Sequence, residues 1–140
     1  MSDPHEPLRI GIDLIMLSRV EKMYREHEDL FLKRFFTAKE ASYSLGAPGL
    51  DRRIERLGGR IAAKEAVMKA LGQGWPYIPW TDIEIVNQKA GGRCVGLKGK
   101  AQALMKEKNL ESIQISITHD GQFAAAVAVG TTCGQHTQKL

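Results

Sequence analysis

The chain has 140 residues, enough for one domain with a core of its own and too few for two ordinary domains. Hydrophobic residues make up 43% and charged residues 26%, which excludes a disordered chain, and no apolar run approaches the ~18 residues that span a bilayer. Twenty Lys and Arg against sixteen Asp and Glu give +4 and a pI near 9.2, an excess that favours acidic partners without choosing among nucleic acid, phosphorylated metabolites and acidic proteins.

Met1 to Pro7 lacks a basic region followed by an apolar one, so a cytosolic location is expected. Leu8 to Ile15 then alternates. Leu8, Ile10, Ile12 and Leu14 fall on one side, with Arg9, Gly11, Asp13 and Ile15 on the other, which is a period-two strand carrying an acid near its end. Ser18 to Glu21 and Thr37 to Glu40 both fit the capping box, so a helix is expected to start at each. After Pro48 and Gly49, Asp51 is placed to cap a long helix that runs to about Leu71 and stops at Gly72 and Gly74. At ~1.5 Å per residue such a helix spans roughly 30 Å.

Trp75 to Pro79 reads as a loop, and Asp82 to Asn87 with Arg93 to Leu97 as a hairpin around Ala90-Gly91-Gly92. Gly99 to Lys108 has helix-forming composition. Ile113, Ile115 and Ile117 alternate into His119, and Asp120-Gly121 is a hairpin turn leading into Phe123 to Val129. Residues 131–140 are polar and are expected to form a loose tail beyond an ordered core of about 8–130. This order predicts one α+β domain over 1–140, with a small, mostly antiparallel sheet packed on a long central helix.

The central helix is the most informative segment. Ile54, Leu57, Ile61, Met68 and Leu71 form one apolar stripe, and Ala62, Ala63, Ala66 and Ala70 a second, flat face. Within it stand Lys64, Glu65 and Lys69, and charges in such a setting are rare unless paired or bound to something. Glu65 and Lys69 also have the spacing of an ordinary i,i+4 ion pair, stabilising by roughly 0.2–0.5 kcal/mol.

Three polar residues stand where the patterns do not require them: Asp13 at a strand end, Glu65 in the apolar helix and His119 at a hairpin. A carboxylate from a strand and one from a helix can together hold Mg²⁺, which keeps several waters and takes phosphate oxygens as further ligands. Each also has a purely structural explanation, as strand-end cap, ion pair and turn residue, and spacing alone does not bring them together. Lys69 can meet a phosphate as a point charge, while Gly72 is explained equally well as a helix C-cap. Cys94 and Cys133 and the four histidines, His5, His27, His119 and His136, are scattered, so free thiols and no zinc site are expected. Arg19, Lys22 and Arg25, followed by Lys33 and Arg34, form a basic patch that is either a solvated face or a dock for an acidic partner.

Taken in order, Gly11-Ile12-Asp13, Arg19, the run from Arg34 to Glu40, the run from Arg60 to Ala66, Lys69 to Gly72 and Ser116 to His119 resemble holo-acyl-carrier-protein synthase, the small stand-alone type of 4'-phosphopantetheinyl transferase. The resemblance covers about residues 10 to 130. It implies transfer of the phosphopantetheine arm of coenzyme A to a serine of apo acyl carrier protein, with release of adenosine 3',5'-bisphosphate, in support of fatty acid synthesis. By position it implies Asp13 and Glu65 as Mg²⁺ ligands, Glu65 or a metal-bound water as acceptor of the serine proton, and Lys69 on the phosphates.

Lys64, Gly72 and His119 match positions near the coenzyme, with His119 by the nucleotide portion. Arg19 matches a carrier-protein contact that Arg25 extends by proximity. The resemblance further implies a homotrimer with active sites between subunits, which accounts for two apolar faces on the central helix. Three positions depart from the pattern: Gln73 follows Gly72, Gly58-Gly59 replaces better helix formers, and Arg93 stands where proline is frequent. The alternatives are a non-enzymatic nucleic-acid-binding module, against which low aromatic content argues, and an inactive structural homologue.

Overall fold

The computed structural model describes residues 8–132. Strand β1 (Leu8–Met16) leads into helices α1 (Leu17–Glu26), α2 (Glu28–Phe35), α3 (Ala38–Leu45) and the long α4 (Leu50–Leu71). A short 3-10 turn (Trp80–Asp82), the hairpin β2 (Ile83–Asn87) and β3 (Arg93–Leu97), helix α5 (Gly99–Glu107) and strands β4 (Leu110–Asp120) and β5 (Phe123–Thr132) complete it. The strands form two antiparallel sheets, one in the order β1-β5-β4 and one of β2 with β3. Among the described residues no helix is long and apolar enough to cross a membrane.

Local chemistry explains most of the boundaries. At Thr37 both halves of the capping box form, the hydroxyl accepting from the Glu40 N–H and the Glu40 carboxylate from the Thr37 N–H. Helix α4 ends at Gly72 with φ 85°, where the Gly72 N–H reaches the Lys69 carbonyl and the Gln73 N–H the Met68 carbonyl, a Schellman cap. Two other expected caps are not used. Met16, not Ser18, precedes α1, because the Leu17 N–H donates to the Gln122 carbonyl across the sheet end. Gly49, at φ 91°, precedes α4, and Asp51 lies in its first turn without a side-chain cap.

Helix α2 has no counterpart in the sequence reading. It begins where His27 breaks the chain, with Glu28 and Asp29 in its first turn and Lys33 and Arg34 in its last, in accord with the helix dipole. The β4–β5 turn falls on Gly121-Gln122, one residue later than expected, with Asp120 paired to Phe123. Thr131 and Thr132 belong to β5 and not to a tail, while 133–140, including Cys133, and 1–7 lie outside the described residues.

Helix α4 is the core of the molecule. It packs on β1, β5 and β4 on one side and on α1, α3, α5 and β2 elsewhere, so both of its apolar faces are covered within a single chain. This corrects the expectation that the second face requires a neighbouring subunit. The apolar surface left open lies on the far side of the sheet, where Ile10, Ile12 and Leu14 of β1 are each more than 60% exposed. In the β1–β5 register Ile10 and Ile12 stand opposite Val129 and Val127, so the two strands share this outer face.

Small residues let the helix approach the sheet. Ala124, Ala126 and Ala128 of β5 are buried, and at Gly11 of β1 an added Cβ would overlap the Ala66 carbonyl oxygen. Gly11→Ala therefore forces helix and strand apart, and is expected to cost at or above the roughly 3 kcal/mol upper end of ordinary overpacking, read by urea denaturation. Gly58 and Gly59 have the same explanation, since side chains there would meet Leu17 and Ile117, and this packing offsets their poor helix propensity.

Candidate active site

Asp13 and Glu65 come together. β1 turns its odd-numbered residues toward α4, so Asp13 reaches the helix where Glu65 emerges, and the two carboxyl groups share a hydrogen bond. Glu65 is pushed up to about 7, first by burial, then by the hydrogen bond and negative charge of Asp13, against the opposing pull of Lys69 and Arg19. Lys69, one helical turn beyond Glu65, donates to the Ile12 carbonyl at 2.8 Å and lies 3.4 Å from Asp13 Oδ1. The expected Glu65–Lys69 pair is thus replaced by a contact across the helix–strand seam. A cleft of about 320 Å³ opens beside them, walled by Glu65, Met68, Lys69, Gly74, Trp75 and Trp80.

The donor set at this point is two carboxylates. No group of three or more His, Cys, Asp or Glu able to hold a metal occurs among the described residues. Two oxygen ligands suit Mg²⁺, which binds through one or two carboxylates and completes its octahedron with water and phosphate oxygens. A cation there also offsets the repulsion that raises Glu65.

A second cavity, of about 360 Å³, is lined by Arg52, Arg56, Arg60, Arg93, Tyr43 and His119 among others. His119 Nδ1 lies 3.4 Å from Glu55 Oε2 at its wall. Arg60 is buried in its floor, its Nη2 donating to Asn87 Oδ1 at 3.2 Å. Arg56 and Glu65 are nine residues apart on α4, which at 100° per residue places them about 180° apart around the axis. Within one chain the arginine cavity and the carboxylate pair therefore face away from each other. The sequence reading passed over this cluster, although an arginine in the apolar helix carried the same signal as Lys64.

Lys64 lines neither cavity. It is fully buried, 2.6 Å from Glu40 Oε1, and donates to the carbonyls of Phe35 at 2.7 Å and Trp80 at 3.1 Å. Burial pulls its pKa down while Glu40 opposes that shift. Gly72 is the helix cap, with Arg9 and Lys108 close by. On α1, Arg19 is exposed and near enough to act on Glu65, whereas Arg25 is paired with Glu21 at 2.8 Å, which reduces its free charge for docking.

The family model of the 4'-phosphopantetheinyl transferase superfamily matches residues 9–133. A holo-[acyl-carrier-protein] synthase of Moorella thermoacetica is 42% identical over 124 residues, covering 87% of this chain and 92% of that protein. One from Gloeobacter violaceus is 40% identical over 118 residues, covering 84% and 88%. Among solved structures, the Helicobacter pylori holo-[acyl-carrier-protein] synthase in complex with coenzyme A superposes with a TM-score of 0.75 at 30% identity, covering 87% of this chain and 99% of that one. With its strand-borne and helix-borne acids brought together beside Lys69, the chain belongs to the 4'-phosphopantetheinyl transferase superfamily and is an enzyme of the holo-acyl-carrier-protein synthase type.

Proposed function

We propose that the enzyme transfers the 4'-phosphopantetheine group of coenzyme A to a serine hydroxyl of apo acyl carrier protein in a Mg²⁺-dependent reaction serving fatty acid synthesis in the cytosol. The observation that carries this reading is the meeting of Asp13, Glu65 and Lys69 at one point. Asp13 and Glu65 would hold the ion, which when bound neutralises charge on the bridging phosphates. The serine oxygen forms a bond to the phosphorus carrying pantetheine, and the bond from that phosphorus to the bridging pyrophosphate oxygen breaks. Glu65 receives the serine proton directly or through a water. Lys69, its side chain more than half exposed beside the acids, meets the leaving phosphate oxygen.

Two features support a site completed by a second copy of the chain, in keeping with a homotrimer. The outer face of the sheet is apolar and open, and the arginine cavity suited to the nucleotide end of coenzyme A, with His119 in its wall, faces away from the acid pair of the same chain. The basic α1 supplies the acidic carrier protein with a docking surface next to the reacting centre, led by Arg19. Arg19→Glu is expected to raise KM for the carrier about 10-fold or more while leaving KM for coenzyme A within about 2-fold, read by steady-state kinetics with each substrate varied. An inactive homologue is not favoured, because the acids and Lys69 are all in place.

The test of the reaction is intact mass spectrometry of an apo acyl carrier protein incubated with the enzyme, coenzyme A and Mg²⁺. A gain of about 340 Da, one phosphopantetheine group, that EDTA abolishes establishes it. No gain with several carriers refutes it.

A further inference from the structure

The cavity on the far side of α4 carries more positive charge than its protein neighbours balance. Arg60 is only 2% exposed, yet its Nε has no hydrogen-bond partner. A buried guanidinium left unsatisfied at the edge of a cavity points to an acceptor that arrives from outside. Arg56 is engaged, its Nη1 on the Tyr43 carbonyl at 2.8 Å and its guanidinium 4.1 Å from the Tyr43 ring centre. The Arg60 guanidinium packs on the same ring at 4.3 Å. Glu55, 3.4 Å from His119 Nδ1, is the one carboxylate in the lining among the described residues and faces four arginines.

Arg93 differs from the other arginines. It is exposed at the start of β3 and forms no ion pair among the described residues. In the β2–β3 register it stands opposite Asn87, the residue whose side chain holds Arg60. The hairpin therefore sets a free guanidinium beside a buried, immobilised one, close enough that Arg93 repels the charge on Arg60. Two converging guanidiniums suit a tetrahedral oxyanion, since their planar forks donate in pairs. A phosphate monoester, whose second pKa is near 6, presents about two negative charges at neutral pH where a diester presents one.

On the reading that the nucleotide end of coenzyme A enters this cavity, we infer that Arg93 is a specificity-determining residue. Together with Arg60 it reads the terminal phosphate monoester that coenzyme A carries and dephospho-coenzyme A lacks. Arg52 and Arg56 raise the local potential, and Arg93 supplies the hydrogen bonds that distinguish the two donors.

The test is calorimetric binding of adenosine 3',5'-bisphosphate and adenosine 5'-monophosphate, in phosphate-free buffer, to the wild-type enzyme and to Arg93→Gln. Wild type is expected to favour the bisphosphate by about 10- to 100-fold, and Arg93→Gln to reduce that preference to within about 3-fold while its affinity for the monophosphate stays the same. Arg93→Lys, which keeps the charge and loses the fork, is expected to fall between. An unchanged preference in Arg93→Gln, with its circular dichroism intact, overturns the assignment. Because binding is measured without turnover, an enzyme that binds the bisphosphate selectively and transfers nothing refutes the transferase reading alone. A wild type that shows no preference between the nucleotides overturns the role of Arg93.

Discussion

Glu65→Gln and Asp13→Asn each lower carrier modification by at least about 10²- to 10³-fold, the scale on which losing one preorganised electrostatic group is felt. Both variants remain folded, because the amides keep the shape of the side chains and the seam between β1 and α4 is held by Gly11 and the alanines around it. Their stability moves in a direction that separates chemical loss from misfolding. In the metal-free enzyme the Glu65 pKa is raised above its ordinary value to about 7, so the folded state holds a proton that the unfolded state releases. Stability from this group is present below the ordinary glutamate pKa and is lost as pH rises through the window from about 4.5 to about 7.

At pH 8 the native enzyme therefore carries two crowded carboxylates, and Glu65→Gln removes that repulsion. The variant should melt higher than wild type at pH 8 without metal, with the difference shrinking toward pH 4.5. Added Mg²⁺ should raise the melting temperature of wild type and leave that of the variant nearly unmoved. A variant with near-normal turnover would refute the assignment of Glu65 to the metal.

Lys64→Met destabilises the fold by about 3–5 kcal/mol, the range for breaking a buried ion pair by removing one partner. Glu40 is left charged and 1% exposed, although it still receives the N–H groups of Thr37 and Ile85. The carbonyls of Phe35 and Trp80 lose their donor as well, which loosens the C-terminal end of α2 and the 3-10 turn from α4. Equilibrium urea denaturation followed by circular dichroism measures the loss. If Lys64 contacted coenzyme instead, the variant would keep its stability and raise KM for coenzyme A, the opposite pattern. Because Trp80 walls the cleft beside Glu65, a partly folded Lys64→Met is expected to lose kcat more than coenzyme affinity.

The two predictions concern adjacent residues with opposite fates. Lys64 and Glu65 look alike in the sequence, as charges in an apolar helix. Their difference is about 100° of rotation, which turns Lys64 toward Glu40 and the aromatic residues and Glu65 toward β1. Arg60, a turn earlier, belongs to the same set and faces the arginine cavity. In the sequence Arg93 is only a hairpin residue where proline is frequent, and its place beside Arg60 emerges once the hairpin is folded against α4.

What the sequence by itself determined is what neighbouring residues decide among themselves. The alternation in β1, the Thr37 capping box, the glycine that ends α4, the β2–β3 hairpin and the α+β order all follow from backbone and side-chain preferences over a few positions, and the ordered motifs carried the family. The failures at Ser18 and Asp51 occur where a competing backbone partner or a glycine took the capping position, and the β4–β5 turn sits one residue late, with Gly121 at φ 56° as its first central residue. Only the tertiary structure decided which side of β1 is buried. Alternation shows two faces without saying which one meets the helix, and here the apolar side is left open because Gly11 lets the other side approach. Only packing brought Asp13 to Glu65, gave Lys64 its counter-ion and set Arg93 of β3 beside the three arginines that α4 already carries on one face, because these contacts join elements far apart in the chain, and their charges are set by burial and neighbours that no local pattern records.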